Sequence, residues 1–158
     1  MGNADNFALD WIKEELESTL DQARAALESY AEDGREETRL RSCLTSLHQV
    51  HGTMRMLELD GVALMAEHME QAAQSLLNGS IKDAPSAERV LMQSLLQLPN
   101  YLEEVQNGLA DDMPLVIGDV NELRECCGLR ALQLAPPVSA EFSESEAKQA
   151  LKLSLIHI

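Results

Sequence analysis

The stretch Leu47-His48-Gln49-Val50-His51-Gly52-Thr53 holds residue types at a spacing that could do chemistry on a surface. Residues four apart on a helix are neighbours on one face, so Gly52 strips bulk from beside His48. Glycine inside a helix costs about 1 kcal/mol relative to alanine, which makes its place next to an imidazole conspicuous. An imidazole with an unperturbed pKa of about 6.5 is mostly neutral and nucleophilic near pH 7. Transfer of a phosphoryl group between two proteins needs such a ring, exposed and approachable, because the displacement is in line. Donors or cations then hold the phosphoryl oxygens, and Thr53, His51, Arg55 and Arg41 lie within a turn or two of His48. A surface histidine beside an incidental glycine would show the same letters.

These side chains need a helix, and the apolar spacing provides one. Cys43, Leu47, Val50, Met54 and Leu57 step by four and three, the seam of a second helix predicted over about Arg35–Leu59. His48 follows Leu47, and His51 follows Val50, by about 100° round that helix, so both imidazoles flank the seam and are expected to reach solvent, with Gly52 on their side. A first helix is predicted over Asn6–Glu32 from the stripe Leu9, Ile12, Leu16, Leu20, Ala23, Leu27 and Tyr30, with Gly34 as its stop. A turn containing Asp60-Gly61 leads to a third helix, Val62–Leu77, closed by Asn78-Gly79. Ser86 is the expected N-cap of a fourth helix reaching about Leu109, with Pro99 expected to kink or divide it. A short fifth helix follows Pro114, ends near Gly128, and has Leu115, Val116, Val120 and Leu123 as its apolar side.

The expected fold is all-α, an up-and-down four-helix bundle with a short extra helix, over residues 6–134. The chain of 158 residues is 45% hydrophobic but only 3% aromatic, so leucines and methionines, among them Met54, Met56, Met65, Met69 and Met92, are the expected core filler. A net charge of −15 argues against binding nucleic acid or an anionic membrane through a basic surface and favours a basic partner, or solubility alone. No apolar run approaches a membrane span, and Met1–Asp10 lacks the marks of a signal peptide. Cys43, Cys126 and Cys127 are an odd count with no CxxC, which fits a reduced, cytoplasmic protein better than a disulfide framework. His48, His51, Cys43 and His68 do not repeat the Glu-x-x-His pattern of bundle metal sites, so no metal is assigned and His68 is expected on the surface. There is no glycine-rich phosphate loop and no ATP site.

The pattern His48-x-x-His51-Gly52-Thr53 on the second helix of an acidic helical chain resembles the histidine phosphotransfer (Hpt) domain, whose motif is His-x-x-Lys-Gly-Ser/Ala. The resemblance implies His48 as phosphoacceptor and donor, with His51, Gly52, Thr53 and Arg55 supporting it. It also implies a response-regulator receiver domain or a kinase core as partner, the receiver supplying the metal ion and the chain needing no cofactor. His51 stands where the family has lysine. Cys43-Leu44-Thr45, Leu64-Met65-Ala66-Glu67, Met69-Glu70-Gln71 and Leu96-Gln97-Leu98-Pro99 are similar to the N-terminal domain of ChpA-type hybrid chemotaxis histidine kinases of the type IV pilus system, and to FimL-like proteins, whose equivalent domain lacks the histidine. The main reading is therefore a phosphotransfer module of a phosphorelay controlling twitching motility; the alternative is a degenerate Hpt-like docking scaffold that carries no phosphate.

After Leu134, Pro136-Pro137 and the acidic run to Glu146 read as a flexible linker over 135–152. The last six residues, Leu153-Ser154-Leu155-Ile156-His157-Ile158, resemble the translation of a sequencing adapter, so a longer parent kinase is expected and His157 is given no role.

Overall fold

The computed structural model describes residues 2–134, with side chains from Asp10 onward. The expected linker and the adapter-like end, 135–158, lie outside the described residues, as does the side chain of Leu9. Five α-helices, and no strand among the described residues, follow in order: α1 (Gly2–Glu32), α2 (Glu37–Met56), α3 (Asp60–Asn78), α4 (Ala84–Gln106) and α5 (Met113–Cys126). Helix α1 packs on α2 and α4, and α3 packs on α2, α4 and α5. Helix α5 also rests on α4.

The core is aliphatic, as the composition requires. Leu16, Leu20, Ala23 and Leu27 of α1 meet Cys43, Leu47, Val50 and Met54 of α2 in one buried cluster with Met65 and Met69 of α3. Met92 is half-buried, and Met56 is an exception to the filler role, exposed just before the last turn unwinds. Leu57 is also only half-buried, because α2 ends at Met56 rather than Leu59. Gly34, at φ +80°, stops α1.

Two local expectations are corrected, and Pro99 does not divide α4. The α2–α3 turn is made by Leu57–Leu59, with Glu58 left-handed at φ 59°, while Asp60 and Gly61 already belong to α3. Gly61 is glycine for a different reason: a Cβ there would stand 2.8 Å from Asp111 Oδ1 and 2.9 Å from the Asp112 carbonyl. The N-cap of α4 is Asp83, whose carboxylate accepts from Ser86 N at 3.2 Å, and Pro85 occupies the first turn, where no amide is needed. Helix α4 runs on through Pro99 as one element. Leu95, Leu98 and Leu102, buried on both sides of the proline, hold that helix to the core despite the lost backbone bond.

Candidate functional site

His48 sits on the outward side of α2, its side chain 75% exposed, while Leu47 beside it is buried. His51, three residues on, leans back toward α3 and is only 19% exposed, so it does not share the open position expected for it. Just under one turn separates them, and both rings meet one residue given no role in the sequence analysis, Glu70 of α3. The Nδ1–H of His48 donates to Glu70 Oε1 at 2.6 Å and the Nδ1–H of His51 donates to Oε2 at 2.9 Å. Glu70 follows the buried Met69 as His48 follows the buried Leu47, so each flanks the same seam from its own helix. That shared offset was the available signal.

The carboxylate accepts and the two rings donate, which assigns the hydrogen of each imidazole to Nδ1. For His48 this leaves Nε2 as the ring nitrogen turned away from Glu70. For His51 the opposite nitrogen, Nε2, is buried and has no hydrogen-bond partner. His51 therefore has no free donor to offer a group arriving at His48.

Gly52 is exposed, and a Cβ built on it would meet nothing within 4 Å. Thr53 is half-buried, and Arg55 is exposed and, among the described residues, forms no ion pair. Arg41 is occupied by Glu37 at 3.2 Å. The structure thus brings His48, His51 and Glu70 into contact and sets Gly52 open beside them.

The other histidine of the helices is corrected. His68 is buried on α3 rather than exposed, and its pKa is lowered, first by burial and then by the charge of Arg124. Cys43 is buried and its thiol is pushed up to about 12 by desolvation, which suits a core residue and not a nucleophile. Cys126 and Cys127 are free and half-buried, lining a cleft of about 720 Å³ whose lining does not include His48. Burial raises the Cys126 pKa, and Cys127, Glu125 and Glu122 raise it further. Among the described residues no group of three side chains could hold a metal ion, and no helix is long and apolar enough to cross a membrane.

A family model, the FimL C-terminal domain, matches residues 6–117. The chain belongs to this family. It is also 28% identical over 125 residues to the scaffold protein FimL of Pseudomonas aeruginosa, a match covering 79% of this chain and 22% of that relative. The chain thus spans about a fifth of the relative's length. No solved structure matches. The relationship shown is to FimL; the finer likenesses, to the Hpt domain and to the N-terminal domain of ChpA-type kinases, rest on the motif residues alone.

Proposed function

We propose that this chain is a docking module of a FimL-type scaffold acting in type IV pilus control, and that a partner protein sits on the exposed side of α2 around His48. The ring of packed pairs α1–α2, α2–α3, α3–α4 and α4–α1 supports reading the architecture as an Hpt-like four-helix bundle with α5 added. The observation that carries the docking role is the state of His51. In the Hpt motif the residue just before the glycine is a lysine, whose cation can hold the oxygens of a phosphoryl group on the histidine. Here Nδ1 of His51 is spent on Glu70 and Nε2 is buried, and the Glu70 carboxylate itself is negative. Family membership alongside a relative named a scaffold points the same way.

A second function, phosphotransfer to or from a receiver domain or kinase core, is favoured by one observation. Glu70 holds His48 with its Nε2 outward on a 75% exposed side chain next to an open glycine, the geometry of an activated nucleophile. In that role His48 is the acceptor and Thr53 and Arg55 are its supports.

The two are separated in the full-length protein by comparing His48→Gln with Gly52→Lys for surface piliation and twitching. Docking requires room but not the imidazole nitrogen, so His48→Gln is expected to behave as wild type and Gly52→Lys to lose function. Loss of function in His48→Gln, with helicity intact, would sink the docking proposal.

A further inference from the structure

Helix α2 is charged unlike the rest of the chain. The whole sequence carries −15, and α1 alone sets eight acids against Lys13 and Arg24. Between Thr38 and Leu57 there is no aspartate or glutamate, and α2 carries Arg39, Arg41 and Arg55 against the single acid Glu37. At about 100° per residue, Arg41, Thr45, His48, Gly52 and Arg55 fall within one narrow sector of the helix, and all five are exposed. Met56, 85% exposed, borders that sector one turn beyond Gly52. Across the seam Glu70 keeps its negative charge but is only 22% exposed, with each oxygen engaged by an imidazole, so it presents little carboxylate surface to a partner. Glu67 of α3 is half-buried.

We infer that this sector of α2 docks an acidic protein surface bearing a projecting apolar side chain, which enters the space over Gly52 between His48 and Met56. The inference rests on the docking role proposed above and names the chemistry of the partner. It reverses what net charge alone suggests. Charges separated by more than a Debye length, about 8 Å at physiological salt, are largely screened, so a contact senses its local arginines more than the total of −15. Arg55 forms no ion pair among the described residues, and the exposed Arg41–Glu37 pair is of the weak, easily exchanged kind. Met56, 85% exposed, supplies an adaptable apolar contact at the edge of the sector.

The test uses the isotope-labelled chain and two synthetic amphipathic helical peptides, identical in their leucines, one otherwise glutamate and the other otherwise lysine. Amide shifts on addition of the glutamate peptide are expected at Thr45, His48, Gly52, Arg55 and Met56, fading as salt is raised. The double variant Arg41→Glu/Arg55→Glu, whose sites are exposed and so keep the fold, is expected to weaken that binding about tenfold. Undisturbed α2 amides, or equal binding by the double variant, would overturn the inference. Binding of the lysine peptide on the same sector would also overturn it while leaving the docking face standing. Sedimentation showing a dimer that Arg55→Glu dissolves would assign the sector to a second copy's acidic α1 instead and likewise overturn it. In the full-length protein, normal twitching by the double variant together with its loss in Gly52→Lys would reject the acidic partner and retain docking.

Discussion

Glu70 makes a site of two histidines. Without it, His51 would bury an N–H with no acceptor, in addition to the Nε2 that already has no hydrogen-bond partner. Leaving a mostly buried donor unpaired costs about 1–2 kcal/mol, so Glu70→Ala is expected to lower stability in urea unfolding by that amount, and Glu70→Gln by less. An equal loss in both variants would show that packing and not the hydrogen bonds matters. Gly52 presents the reverse case. Its missing Cβ would meet nothing, so Gly52→Ala is expected to raise stability by about 1 kcal/mol, the ordinary helix-interior difference. A fall would mean that the glycine serves the fold and not access. His48 and Gly52 were legible as a pair because the helix period alone relates them. Glu70 was not, since its meeting with both rings depends on how α2 and α3 are aligned, and nothing local to either helix states that alignment.

At the scale of elements, α3 begins without a side-chain cap of its own, and Asp111, from the α4–α5 connection, provides one. Its carboxylate accepts from Gly61 N at 3.2 Å and from Val62 N at 2.9 Å. Gly61→Ala forces a methyl group against that carboxylate and the Asp112 backbone, and a loss of about 1–3 kcal/mol is expected in thermal or urea unfolding. Asp111→Ala is expected to cost about 1–2 kcal/mol through the two lost bonds. The two substitutions together should cost less than their sum, because they damage one contact. Full additivity would show that they act separately. The letters Asp60-Gly61 read as a turn because a glycine demanded by a distant loop is indistinguishable from one demanded by a positive φ. The apolar stripes of α1, α2 and α5 were legible, and only their ends shifted, where capping and the approach of another segment decide.

Taken whole, the molecule buries His68 of α3 within reach of the Arg124 charge of α5, and this couples stability to pH. Burial, and then Arg124, lower the His68 pKa below its ordinary 6.5, with Glu67 and Gln71 opposing. The unfolded chain therefore takes up a proton that the folded chain resists, and stability falls as pH drops below 6.5 toward the folded value. Unfolding midpoints are expected to drop across that window in wild type and to drop less in His68→Gln; equal slopes would remove His68 as the cause. Composition disclosed the helical class and the aliphatic core, yet it could not say where −15 is absent. The site's identity as a docking face or a phosphoryl carrier depends on that local distribution and on His51. Incubating the chain with a phosphorylated receiver of the same signalling system, and counting acid-labile phosphate on wild type and His48→Gln, asks the question directly. The expected result is that neither chain takes up label, and label on wild type that is missing from His48→Gln would contradict it.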